Sequence, residues 1–232
     1  MRENGGKQFS LYAAELEQAA KFTMESAPHE HFASYVYGCL RELRDHSFEA
    51  PPLDIHISSR VPIGVGLSSS AALEVATLRA LRQLFKLTLD DVAIAVLAQQ
   101  AEIRYAGVNC GIMDQMASSL ADTRSMLFLD TRTLHRWGLP LPPQAEILVI
   151  DSGVARSLAG SKYNERRAEC EQAARLLGVK ALRDVSDVAA IEKLPQPLRR
   201  RARHLLRSPS APTWKRATSR PRSSTSSIVS SP

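Results

Sequence analysis

The 232 residues hold 30 Lys and Arg against 24 Asp and Glu, a formal net charge of +6, with 44% hydrophobic and 23% charged residues. Such a composition suits a folded globular chain of one large or two small domains and excludes a collagen-like or wholly disordered one. The positive charge is local: residues 199–232 carry nine of the basic groups and no Asp or Glu, which leaves the preceding residues at −3. A nucleic-acid role inferred from charge would rest on that segment alone, so none is expected.

From the N-terminus, Met-Arg-Glu-Asn-Gly-Gly-Lys lacks the apolar core of a secretory signal, and no apolar run approaches the ~20 residues of a membrane helix. Cys39, Cys110 and Cys170 are far apart with no CxxC pair, which argues against a disulfide framework or zinc site. A cytoplasmic protein with no membrane partner is expected. Asn4-Gly5-Gly6 predicts a turn beside a strand, and the mixed pattern of Leu11–Phe22 predicts a short helix or loop. Phe32, Tyr35, Val36, Cys39, Leu40 and Leu43 fall on one face of a helix, and Leu53–Ser59 alternates as a strand does.

That strand leads through Val61-Pro-Ile-Gly-Val-Gly-Leu-Ser-Ser-Ser70 into a helix over Ala71–Lys86. Strand, small-residue turn and helix start together make an anion site, because first-turn N–H groups lack intrahelical partners and the helix dipole adds positive charge. Gly64 and Gly66 let the backbone bend, and Ser68, Ser69 and Ser70 add donors or cap the helix. Phosphate suits such a site; a plain capped turn has the same composition. A P-loop is excluded by the missing Lys, and a dinucleotide fingerprint by Ser69 in place of its third Gly.

Leu89–Tyr105 reads as a second helix capped by Thr88 or Asp90, with Glu102 near its end, where a Glu is ordinarily solvated. Asp114 lies early in a helix within Asn109–Ser119, a place that favours a carboxylate electrostatically without any function. Met126–Leu129 and Glu146–Ile150 read as strands, and Pro140, Pro142 and Pro143 break the chain between them as at a lobe boundary. Asp151–Arg167 leads into a helix through Leu177 that Gly178 closes, with Arg166 and Arg167 on a solvated face. From Arg199 the Arg, Ser, Pro and Thr content predicts disorder.

Several of these blocks resemble the GHMP kinases. Val61–Leu73 resembles their second signature, P-x-x-x-G-L-S/G-S-S-A, and the triple Ser with Ala-Ala and Leu-Glu-Val-Ala is its galactokinase version. The helix His31–Leu43 resembles W-x-N-Y-x-x-G-V with Phe32 for the Trp. Gln100-Ala-Glu followed by Gly107, Cys110-Gly-Ile-Met-Asp-Gln115, and the S-x-Y-x-x-R-R of Ser161–Arg167 are similar to galactokinase segments in the same order. The resemblance runs from His31 to about Asp187. It implies an α+β, two-lobed GHMP kinase-like fold and ATP-dependent phosphorylation of a sugar's anomeric hydroxyl, galactose to galactose 1-phosphate.

Residue by residue, the resemblance puts Gly64, Val65, Gly66, Leu67, Ser68, Ser69 and Ser70 around the phosphates of ATP. It makes Ser70 and Glu102 the Mg²⁺ ligands, Asp114 the general base or orienter, Gly111 a point of backbone approach to the sugar, and Tyr163 a wall of the sugar site. The family's first signature (near R-x-N-L-I-G-E-H) and Gly-rich third signature do not appear. The expected division is an N-terminal lobe over 1–143 lacking its opening strands, the start of a C-terminal lobe over 144–198, and a disordered basic tail over 199–232. That tail has the composition of a frame-shifted GC-rich reading frame, or of a segment touching nucleic acid or anionic lipid. A monomer is expected, a sugar kinase impaired in this chain so that it shows little or no activity alone; a non-catalytic sugar and nucleotide sensor, or a defective product, are the alternatives.

Overall fold

The computed structural model describes residues 1–150 and 162–207, in two compact units, Met1–Asn164 and Glu165–Pro232. The first unit opens with a mixed sheet in the order β1-β4-β2-β3, formed by β1 (Arg2–Glu3), β2 (Phe9–Ala13), β3 (Gln18–Phe22) and β4 (Leu53–Ile57). β2 and β3 are antiparallel, Phe9 facing Phe22, whereas β2 and β4 are parallel, Leu11 facing Ile55. Leu11–Phe22 is therefore two strands and a 3₁₀ turn over Ala14–Leu16, not a helix or loop. Along β2 the side chains of Phe9, Leu11 and Ala13 are buried and Tyr12 is exposed, the period-2 burial of a strand. The Ala-rich β3 has little strand preference of its own; Phe22, stacked on Phe9 at 5.2 Å, anchors it.

Four helices complete this core: α1 (His31–Asp45), α2 (Ser69–Phe85), α3 (Asp91–Tyr105) and α4 (Met113–Leu120). Their buried stripes, Val36, Leu40 and Leu43 on α1, Val75, Leu78 and Leu81 on α2, Ile94 and Leu97 on α3, join Leu11, Leu53 and Ile55 of the sheet in one cluster. Asp90 caps α3, its carboxylate accepting the Ala93 N–H at 2.7 Å. Between α1 and α3 the backbones meet at Gly38, where an added Cβ would lie 3.0 Å from Ala101 Cβ and 3.1 Å from Ala101 O and Tyr105 Cβ. Gly38→Ala should push α1 off α3, at a cost of about 1–3 kcal/mol; urea unfolding measures it, and an unchanged midpoint would mean that the contact relaxes freely.

β5 (Ser125–Leu129) and β6 (Arg136–Pro140) form a separate hairpin in which Phe128 stacks on Trp137 at 4.1 Å. Residues 146–150, expected to be a strand, have no regular structure, and Ile147, Leu148, Val149 and Ile150 are exposed. The loop expected over 151–161 lies outside the described residues.

α5 (Lys162–Leu176) begins in the first unit and runs into the second, where Gly178, at φ 68°, follows its end. Two 3₁₀ turns, Leu182–Asp184 and Val188–Lys193, and α6 (Leu198–Arg207) close a small core of Ala173, Leu182, Ile191, Leu194, Leu198 and Ala202. Residues 199–207 are thus helical, a correction to the disorder expected there. Leu198 and Ala202 bury one side of α6, while Arg201 pairs with Glu169 at 2.6 Å and Arg203 with Glu192. The rest of the expected tail, 208–232, lies outside the described residues. The units divide after Asn164, not at the prolines near 143. Among the described residues no helix is long and apolar enough to cross a membrane.

Candidate active site

β4 ends at Ile57, and the chain reaches α2 through an exposed loop whose backbone is left-handed at Gly64 (φ 78°), Gly66 (φ 85°) and Ser68 (φ 55°). Left-handed residues followed by helical ones turn successive N–H groups into a concavity that suits an anion. Ser68 is the residue before α2, yet its hydroxyl makes no capping bond, contrary to the expected cap. First-turn amides of α2 are left without a side-chain acceptor, as a phosphate site needs. Beside this loop lies a cavity of about 860 Å³, lined among others by Phe32, Tyr35, Ile57, Val61, Leu73 and Ser70.

Ser70, at the start of α2, stands close enough to the Glu102 carboxylate near the end of α3 for its hydroxyl to favour the charged form. Glu102 is not a solvated surface residue: it is 3% exposed. Its Oε2 accepts the Gln115 amide at 2.6 Å and the Cys110 thiol at 3.5 Å. Burial pushes its pKa up, and the three donors, from Ser70, Cys110 and Gln115, pull the other way. A second carboxyl, Glu74, sits on the buried face of α2 and accepts Gln115 Nε2 at 3.3 Å. Burial first, then the charge of Glu102, pushes Glu74 up to about 10. Two like groups so close cannot both ionise cheaply, and Glu102 has the better donors. Burial and the nearby Glu102 carboxyl therefore favour the neutral acid at Glu74. The same negative field adds to burial in raising Tyr35, at the cavity wall, to about 12.

Asp114 is the second residue of α4, half-buried, and near enough to Glu102 to oppose its ionisation. α4 is held in place by Arg79 of α2, which donates to Ser119 O at 2.6 Å, and by Ser119 Oγ, which donates to Asp91 O at 2.7 Å. The loop before α4 is held by the start of α5. Asn109 N–H donates to Asn164 Oδ1 at 2.9 Å, Asn164 Nδ2 donates to Gly107 O at 3.1 Å, and Gly111 N–H donates to Tyr163 OH at 3.3 Å. Gly111 and Tyr163, two of the sugar-site candidates, thus touch, and Asp114 follows one turn later. A Cβ at Gly111 would meet nothing within 4 Å, so the chain's own packing does not require glycine there.

The structure brings together Ser70 with Glu102, and Gly111 with Tyr163, and it sets Asp114 beside Glu102. Sequence reasoning missed Glu74, Gln115 and Asn164. For Glu74 a signal existed: it lies in register with Ala71, Val75 and Leu78 on the apolar stripe of α2, where a charged side chain is out of place. Among the described residues no group of three or more His, Cys, Asp or Glu is placed to hold a metal. Ser70 and Glu102 nonetheless fit Mg²⁺, which takes one or two protein oxygens and completes its shell with phosphate and water. The hydroxyl–carboxylate donor set, brought together from α2 and α3, satisfies that requirement.

Residues 34–122 match the family model of the GHMP kinases N terminal domain. Among solved structures, a Lactococcus lactis galactokinase complexed with galactose superposes with a TM-score of 0.73 at 27% identity, over 88% of this chain and 56% of that one. Partial likenesses extend to a D-glycero-D-manno-heptose 1-phosphate kinase from Bacteriodes thetaiotaomicron (TM-score 0.49, 24% identity, 61% of this chain and 46% of that one) and to the Methanococcus jannaschii mevalonate kinase (0.43, 21%, 51% and 39%). The chain is similar to galactokinase-like GHMP kinases in sequence and fold, and its mixed helix-and-strand architecture is theirs. It spans little more than half the length of the galactokinase it matches.

Proposed function

We propose that the protein acts in ATP-dependent phosphorylation of a sugar, with galactose the first substrate to test. The carrying observation is the left-handed Gly64–Ser68 loop at the uncapped start of α2, beside the Ser70–Glu102 pair. Support for galactose is the match to a galactokinase bound to that sugar.

In this reading the amides of Gly64, Val65, Gly66, Leu67, Ser68, Ser69 and Ser70 cradle the nucleotide phosphates. Ser70 and Glu102 would hold Mg²⁺, which would supply positive charge beside the phosphates. Asp114 accepts the proton of the anomeric hydroxyl as its oxygen bonds to the γ-phosphorus and the bond to ADP breaks. Gly111 and Tyr163 bound the sugar on the other side of that carboxylate. Phosphoryl transfer asks chiefly for positioning and charge stabilisation, so a few well-placed groups suffice.

Mg-ATP should raise the melting temperature, by linkage worth about 2.7 kcal/mol at a hundred times Kd. Glu102→Gln and Ser70→Ala should each remove the magnesium-dependent part of that rise and keep the part seen with ATP and EDTA. ADP release with galactose and Mg-ATP, over an Asp114→Asn control, then tests turnover. Equal protection by ATP with and without magnesium would refute the metal assignment, and release no faster than the control would refute the activity.

A further inference from the structure

We propose that Gln115 is a positioning residue of this site, its side-chain amide fixing the Glu102 carboxylate by bridging it to Glu74. The inference rests on the reading of Ser70 and Glu102 as a cation-holding pair. Three helices meet at this amide. Gln115 projects from α4, its Nε2 lies 2.6 Å from Glu102 Oε2 on α3, and the same nitrogen lies 3.3 Å from Glu74 Oε2 on α2. Cys110 Sγ stands 3.8 Å away as a weaker neighbour. A primary amide has two N–H donors, and both are spent on carboxyl groups.

Gln115 is 0% exposed, and its Oε1 and Glu74 Oε1 are both buried without a hydrogen-bond partner. As packing alone this is a poor solution, because each orphaned polar atom costs stability and an apolar pair of similar volume would avoid it. What the arrangement gains is orientation. With Oε2 of Glu102 held by Gln115 and Cys110, the carboxylate cannot rotate freely and its remaining lone pairs are presented to Ser70 and a cation. Glu74 supplies the second anchor and stops the amide from swinging with Glu102.

The test is a magnesium titration of the ATP-dependent thermal shift in wild type, Gln115→Met and Gln115→Asn. Met keeps the bulk without donors. Asn keeps the amide but is one methylene too short to reach, and it is the milder change should Met not fold. The magnesium concentration giving half of the additional shift should rise tenfold or more in either variant. The shift with ATP in EDTA should stay as in wild type. A wild-type response to magnesium together with an unchanged midpoint in a folded variant, even one with a lower melting temperature, would make Gln115 purely structural and overturn the inference. Absence of any magnesium response in wild type would instead overturn the underlying reading of Ser70 and Glu102, and the inference with it.

Discussion

Asp114→Asn is expected to lower the rate constant for sugar phosphorylation at least a hundredfold while leaving the thermal shift with ATP in EDTA unchanged. Asparagine keeps the size and hydrogen-bonding reach of the side chain but cannot take a proton, and proton transfer by a positioned base is worth about 10²–10⁴ in rate. Asp114 sits in the first turn of α4, away from the Gly64–Ser70 loop in sequence and on a different helix. Metal-free nucleotide binding should therefore not register its loss. The measurement is coupled ADP release from purified wild type and variant at saturating ATP. A variant retaining more than a tenth of the wild-type rate constant would have lost less than about 1.4 kcal/mol of transition-state stabilisation, too little for the proposed base.

Glu74→Gln should make the protein more stable than wild type at neutral and alkaline pH, and the gain should vanish in acid. Glu74 has an ordinary carboxyl pKa of 4.5 in the unfolded chain and about 10 when folded, raised by burial and by the charge of Glu102. Between these values the unfolded state releases a proton that the folded state keeps. Wild-type stability therefore falls with rising pH across that window, by up to about 1.4 kcal/mol per pH unit, and the loss is complete above the folded value. Glutamine has no such proton to lose. The variant should thus exceed wild type by at least about 2 kcal/mol at pH 8 and match its trend below pH 4.5. Urea unfolding of both proteins at several pH values provides the test, and parallel pH profiles would show that Glu74 ionises normally in the folded protein.

The helices were the legible part of this chain. α1 to α3 carry apolar stripes at helical spacing, Asp90 caps where a cap was expected, and Gly178 closes α5. Each of these is a local signal. The Ser loop was legible for the same reason, since Gly64 and Gly66 announce backbone that other residues avoid. β3 was illegible because Ala19 and Ala20 have no strand preference, and only pairing with β2 makes them a strand. β6 was hidden by Pro140 at its end, and α6 by arginines whose acidic partners, Glu169 and Glu192, are distant in sequence.

In the site, Ser70, Glu102 and Asp114 came from the family pattern, and their proximity is a tertiary fact that spacing alone could not supply. Glu74 and Gln115 show the converse. Polar side chains read as surface until the fold encloses them, and a contact such as Gln115 to Glu102 joins separate helices.

The sheet that supports this site sets an order of events during folding. β2 and β3 are a local hairpin, closed across the turn Ala14–Leu16, whereas β4 joins β2 in parallel, Leu11 beside Ile55, only after the whole of α1 has intervened. Closing that long loop costs entropy before any ladder bond forms, so the hairpin and α1 can assemble early and β4 must arrive late. The Gly64–Ser70 loop hangs directly from β4. Its binding conformation is therefore among the last features to form on refolding, and among the first to be lost when β4 detaches.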